Sequence, residues 1–145
     1  MKKLIAIILF CLTCHSLCAQ SECDAFRAYL FNKEYNVFFK IDLCNESITV
    51  PGEELYGSLP GYLGKKTNNY CWVITAAEVK GKTAHLTMIN DFGSEDLTAT
   101  LTHKNDSLYI FHQESGSSLK MAQGGKWQKL PKTLEFIRQP FRLLK

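Results

Sequence analysis

This sequence has little excess charge, little histidine, and none of the motifs that usually carry chemistry. Its 17 basic and 14 acidic residues leave a formal charge of only +3, whereas a nucleic-acid surface needs a concentrated basic face. No Gly-x-Ser-x-Gly elbow, His-Glu-x-x-His pair or phosphate-cradling glycine loop occurs. Beyond residue 19 there is no Cys-x-x-Cys and no paired histidine spacing of the kind that holds zinc. No internal repeat or linker divides the chain, and apolar and aromatic residues are too plentiful for global disorder. Nucleic-acid binding, structural zinc and the common hydrolase classes are set aside, and no cofactor is expected.

What is present begins with an export signal. Lys2 and Lys3 precede an uncharged apolar run over residues 4–12, and Ser16-Leu17-Cys18-Ala19 ends on a small residue. That order of parts is a cleavable secretory signal over 1–19, leaving Gln20 first. A spanning helix needs about 20 apolar residues, and Thr13, His15 and Ser16 interrupt this one. No membrane span is expected after cleavage. A lipid-anchored variant fits less well: Cys14 and Cys18 lack the small residue before, and the aliphatic residue three before, a modified cysteine. Loss of Lys2 and Lys3 leaves 15 basic against 14 acidic residues, a charge of +1. The short, lysine-led signal has a bacterial look and implies a periplasmic or extracellular protein.

Cleavage also removes three of the six cysteines, leaving Cys23, Cys44 and Cys71. An oxidising compartment permits one internal bridge among three thiols. Cys44 closes one apparent strand and Cys71 opens another, so Cys44–Cys71 is the favoured pair and Cys23–Cys44 the competitor. The leftover thiol reads as a small buried hydrophobe.

Residues 20–145 read as a single mainly β domain. Ser21-Glu22-Cys23-Asp24 resembles a capping box, and Cys23, Phe26 and Leu30 follow at helical spacing, predicting a short helix over 21–31. From Tyr35 the period becomes two: Tyr35, Val37, Phe39, Ile41 and Leu43 share a face. Residues 71–79 are apolar on both faces, 83–89 and 97–102 alternate, 107–113 follow a hairpin turn, and 133–138 form the last strand. Turns recur every eight to twelve residues or so, the rhythm of an antiparallel sandwich or barrel. The expectation is a small antiparallel β-barrel or sandwich of about seven to eight strands behind a short N-terminal helix. The barrel likeness to lipocalins is architectural only, because their Gly-x-Trp at the first strand is missing.

Residues 51–70 form the longest irregular stretch, with Gly52, Gly57, Gly61 and Gly64 beside Pro51 and Pro60. Leu55, Tyr56, Tyr62 and Leu63 are interleaved there, and long loops are often functional. Asp91-Phe92-Gly93-Ser94-Glu95-Asp96 reads as a solvated acidic turn, or as a contact patch for a basic partner. Trp127 stands in a basic stretch with Lys126 and Lys129; it is read as core by preference and as an interface residue otherwise. His85, His103 and His112 fall on successive strands with disagreeing faces, so they read as surface or structural histidines and not as metal ligands. Asn45-Glu46-Ser47 and Asn105-Asp106-Ser107 match the glycosylation pattern, but turn chemistry explains both.

The resulting expectation is an exported, non-catalytic binding domain with a protein partner, most concretely an inhibitor or immunity-type protein. Leu55, Tyr56, Tyr62, Leu63 and Trp127 are its expected contact residues. A barrel enclosing a small apolar ligand is the second expectation and needs an internal cavity. A small enzyme, with His112 near Asp91 or Glu114, is the third.

Overall fold

Alternating strands bury their apolar faces most completely when the sheet closes on itself. The computed structural model describes residues 19–140 and 142, and the expected signal over 1–19 lies outside them apart from Ala19. Its strands are β1 (Arg27–Asn32), β2 (Val37–Asp42), β3 (Ile48–Thr49), β4 (Ser58–Leu59), β5 (Gly61–Lys65) and β6 (Asn68–Lys80). They continue as β7 (Thr83–Asn90), β8 (Asp96–His103), β9 (Leu108–Gly116), β10 (Lys120–Gln123), β11 (Lys126–Lys129) and β12 (Thr133–Arg138). Eight of these form a closed antiparallel barrel in the order β1-β12-β9-β8-β7-β6-β5-β2. Most neighbours are joined by tight turns, and two longer excursions interrupt the meander. Residues 43–60 leave after β2 and carry β3, a 3-10 turn at Glu54–Tyr56 and β4; residues 117–132 leave after β9 and carry the β10–β11 hairpin.

The barrel interior is filled by side chains. Val37, Phe39 and Ile41 of β2, Ala84, Leu86 and Met88 of β7, and Leu97, Ala99 and Leu101 of β8 all point inward and are buried, as their alternation predicts. Phe39 packs against Phe111 and Phe136 at the centre, with ring centroids 5.6 and 5.0 Å away. An eight-stranded barrel is just wide enough for such filling. Trp72 is fully buried, and its Nε1–H donates to the Lys120 carbonyl at 2.8 Å, fastening the second excursion to β6. Leu119, Met121 and Leu130 then close that end of the barrel.

At the opposite end residues 19–25 are helical and Phe26 enters the core. The helix is shorter than the predicted 21–31, because Phe26, Ala28 and Leu30 are inward residues of period two entering β1. Cys23, Phe26 and Leu30 satisfy helical spacing as well, and short apolar runs carry that ambiguity. The Tyr109 hydroxyl donates to the Ala25 carbonyl, and Arg138 Nη2 donates to the Asp24 and Arg27 carbonyls at 3.2 and 2.9 Å.

The disulfide joins Cys23 to Cys44, with Cα atoms 5.6 Å apart, and not Cys44 to Cys71 as their strand-end positions suggest. Strand register gives the reason. Cys71 pairs with Gly64 of β5, which pairs with Phe38 of β2, so Cys71 lies level with Phe38 and one strand beyond β5. Asp42, at the end of β2, is four residues further along than Phe38, about 13 Å at the strand rise, and Cys44 lies in the turn beyond it, out of a bridge's reach. Cys71 stays a buried free thiol.

The strand at 71–79 is apolar on both faces because it serves two cores. Tyr70, Trp72 and Ile74 belong to the interior. Cys71 and Val73 face outward with Tyr62, Phe38 and Ile89, and the first excursion lays Ile48, Val50 and Leu59 over them. An extra residue at Thr75 shifts the register between Ile74 and Ala76, and the second half of β6 is more open.

Candidate functional site

The second excursion and the β7–β8 turn meet at one rim of the barrel. The first excursion, which leaves and re-enters at the opposite end, runs over the outer face and brings Glu53 and Tyr56 beside that turn. In the first excursion, Val50 is buried in the outer core, and its carbonyl accepts the Glu53 N–H at 3.0 Å. The Glu54 carboxylate accepts the Gly52 N–H at 2.9 Å, and Tyr56 N–H closes the turn on the Glu53 carbonyl at 3.1 Å. A short turn anchored at its base presents its tip to solvent. Leu55 is 98 % exposed and Tyr56 66 %.

The β7–β8 turn is organised by a buried asparagine. Asn90 Oδ1 accepts the N–H groups of Ser94 and Glu95 at 2.9 and 3.2 Å, and Asn90 Nδ2 donates to Ser94 Oγ at 3.1 Å. Asp91 N–H donates to the Cys71 carbonyl at 3.1 Å, and Gly93 takes φ +67°, a left-handed conformation that glycine adopts without penalty. This Asx-type turn drives Phe92 outward, where it is 71 % exposed. The acidic segment is therefore a fixed structure. Lys120 Nζ meets Glu95 Oε1 at 2.8 Å, tying the turn to the second excursion.

Trp127 lies on β11, two residues past Gly125. Gly124 and Gly125 both have positive φ, +55° and +76°, the primed turn that twists with its strands. The hairpin is held by Asn68 Nδ2 donating to the Ala122 carbonyl at 2.7 Å and by Lys65 Nζ donating to Gln128 Oε1 at 2.9 Å. Trp127 is 55 % exposed and not core, because the hairpin seats Met121 in the interior and leaves the Trp127 position facing out. Its ring meets Tyr70 edge-on at 4.8 Å and Phe92 at 6.5 Å, and Tyr70 lies 5.8 Å from Phe92. Phe92 and Trp127 thus stand on Tyr70, and Tyr56 lies across a cavity from Phe92, extending the exposed ridge.

Between Tyr56 and Phe92 a cavity of about 130 Å³ opens to solvent. Leu59, Val73 and Ile89 form its apolar walls, and Glu53 and Asp91 bring carboxylates to it. Asp91 Oδ1 is buried and has no hydrogen-bond partner among the described residues. Burial pushes the Asp91 carboxyl above its ordinary value, and the neighbouring Glu53 pushes the same way. Tyr70 and Cys71 are each pushed up to about 12, first by burial and then by the charge of Asp91. A thiol so raised is no nucleophile at neutral pH.

Of the expected contact residues, Leu55, Tyr56 and Trp127 stand on the surface, while Tyr62 and Leu63 do not join them. Leu63 points into the barrel and is fully buried. Tyr62 lies under the first excursion, in a row where Phe38 is stacked on Tyr29 and meets Tyr62 edge-on. Sequence reasoning passed over Tyr70 and Glu53 as site members, and named Phe92 and Asp91 only within an acidic loop read by preference as a solvated turn, with Asp91 also set near His112 in the enzyme alternative. The signal for Phe92 was available: a large aromatic inside an otherwise polar turn.

The remaining polar candidates are dispersed. His85 and His112 are exposed, and His112 Nδ1 shares a hydrogen bond with Thr133 Oγ1 at 2.8 Å, not with Asp91 or Glu114. His103 packs against Phe26 and Tyr109. Among the described residues no group of three or more His, Cys, Asp or Glu side chains is placed to hold a metal. Asn105 Oδ1 accepts the Ser107 and Leu108 N–H groups, and Asn45 Nδ2 donates to Asp42, so both Asn-x-Ser motifs have their asparagines bonded within local turns. No helix among the described residues is long and apolar enough to cross a membrane. Compared with protein-family models, curated proteins and solved structures, the chain matches none.

Proposed function

We propose that this chain is an exported, non-catalytic binding domain that engages another protein through the ridge of Leu55, Tyr56, Phe92 and Trp127. One observation carries the reading. Of the five large apolar side chains exposed among the described residues, four stand on these converging segments, and only Ile137 lies elsewhere. Scattered exposed apolar residues need no explanation, but a gathered set marks an interaction site. Tyrosine and tryptophan are also the residues that most often dominate binding energy at interfaces. Export is supported by the charged, apolar and small-residue order of residues 1–19 and by a disulfide compatible with an oxidising compartment. The interior is filled among the described residues by buried side chains such as Phe39, Trp72, Phe111 and Phe136, which argues against a ligand-carrying barrel.

The test is to recover the native protein from its own host and identify what accompanies it, beside a Leu55→Ser/Phe92→Ser/Trp127→Ser variant. A stoichiometric protein partner held by the natural chain and lost by the variant, with the melting transition retained, is the expected result. Undiminished recovery by the variant, or an extracted small molecule in place of a protein, overturns the reading.

A further inference from the structure

We propose that the cavity between Tyr56 and Phe92 receives a basic side chain, lysine or arginine, from the protein that docks on the ridge. The inference rests on the protein-binding reading and specifies its central contact. Size comes first. A space of about 130 Å³ is close to the ~150 Å³ that holds one benzene, and below the ~300 Å³ where small-molecule sites begin. One side chain fits, and a cofactor does not.

Chemistry comes second. Leu59, Val73 and Ile89 suit an aliphatic stem, the rings of Tyr56 and Phe92 flank the opening, and Glu53 and Asp91 supply negative charge. A basic side chain has this composition, an apolar stem with a cationic head. Aromatic faces attract such a head as well. An acidic occupant would meet the charges of Glu53 and Asp91 in the lining, and an apolar one would leave those charges unanswered.

Third, among the described residues no ion pair is made to Glu53 or Asp91. Lys120, on the adjoining hairpin, is engaged by Glu95 at 2.8 Å. Asp91 Oδ1 is left without a donor among the described residues; burial raises Asp91, Tyr70 and Cys71 first, and the charge of Glu53 on Asp91, and of Asp91 on Tyr70 and Cys71, acts in the same direction. A docking cation would give the Glu53 and Asp91 carboxylates of the lining a charged partner. Such charge-assisted bonds are the stronger kind.

The experiment titrates the isotopically labelled, disulfide-bonded protein with blocked single amino acids, N-acetyl-arginine and N-acetyl-lysine methylamides, and follows backbone amide shifts. The neutral isosteres N-acetyl-citrulline and N-acetyl-norleucine methylamides serve as controls. Shifts concentrated at residues 53–56 and 89–93, produced by the cationic probes and not by the neutral ones, are expected. Asp91→Asn should then weaken binding by about tenfold or more, and Glu53→Gln should weaken it in the same direction. Equal shifts with norleucine, or none with either cation, overturn the assignment. If the cations fail while the ridge variant still loses its protein partner, the cavity proposal falls and the protein-binding reading stands.

Discussion

Removing the Cys23–Cys44 bridge tests the structure at the end of the barrel away from the ridge. The bridge spans a sequence separation of 21 residues. In the chain-entropy model, closing a loop of that length costs the unfolded chain about 3 kcal/mol of freedom. The folded state has other fastenings there. Phe26 is fully buried, Tyr109 bonds the Ala25 carbonyl, and β1 pairs with β2 from Arg27–Asp42 to Asn32–Val37. Cys23→Ala/Cys44→Ala should therefore fold into the same barrel and lose about 3 kcal/mol. For a domain of this size that lowers the melting temperature by roughly 10–15 °C. Urea titration followed by far-UV circular dichroism reads the loss, and a native-like folded baseline shows that the barrel survives. Cys71→Ala is the control, expected to keep the bridge and to lack the entropic loss. A double variant within about 1 kcal/mol of the parent would refute the loop-closure reasoning. A Cys71→Ala protein that alkylates at Cys23 without reduction would refute the pairing itself.

Further predictions concern buried groups. Asp91→Asn should raise the melting temperature at neutral pH. The folded state holds the Asp91 carboxyl above its ordinary 3.8, so its contribution to stability is full below that value and is lost as pH rises through the raised one. The advantage of the D91N variant over the parent should accordingly shrink in acid, as calorimetry across pH would show; a constant difference would contradict it. Trp72→Phe removes the largest fully buried side chain and leaves the Lys120 carbonyl unbonded, so a loss of about 2–3 kcal/mol by denaturant titration is expected. His103 is held below its ordinary 6.5, first by burial and then by Arg138, so the stability it contributes is present above 6.5 and lost as pH falls through the depressed value. His103→Phe should flatten that acid-side slope, and an unchanged slope would assign it to other groups.

The barrel was legible because its strands alternate almost without exception. Period two in 83–89 and 97–102 placed Ala84, Leu86, Met88, Leu97, Ala99 and Leu101 inside, where the structure has them. The disulfide was not legible, because pairing depends on which strands are neighbours. The first excursion returns the chain as β5 between β2 and β6, and nothing in the local pattern of Cys44 or Cys71 announces that insertion. Tyr62 and Leu63 were misplaced for a related reason. The stretch 51–70 reads as one irregular loop, yet its second half is β5, buried on both faces because the first excursion covers its outside. Trp127 was the converse case, a large aromatic kept in solvent by a hairpin that turns Met121 into the interior instead.

The place of the ridge in the chain bears on what it does. An up-and-down barrel needs only tight turns between successive strands, and this chain uses them at Lys80–Thr83 and His103–Leu108. It departs from that economy in two excursions, and both carry exposed large apolar residues, Leu55 and Tyr56 from the first and Trp127 from the second. Neither excursion is loose. The first is pinned by Ile48, Val50 and Leu59 on the outer core, and the second by Trp72, Asn68 and Lys65. The turn between β7 and β8 meets the second through the Phe92–Trp127 contact and the Glu95–Lys120 pair, and shares a cavity with Glu53, Tyr56 and Leu59 of the first. Core burial would have been served by placing those rings inside, and solubility by replacing them with polar residues. A pinned frame that holds them in solvent beside a cavity lined by Glu53 and Asp91 is what the proposed contact with a partner protein would require.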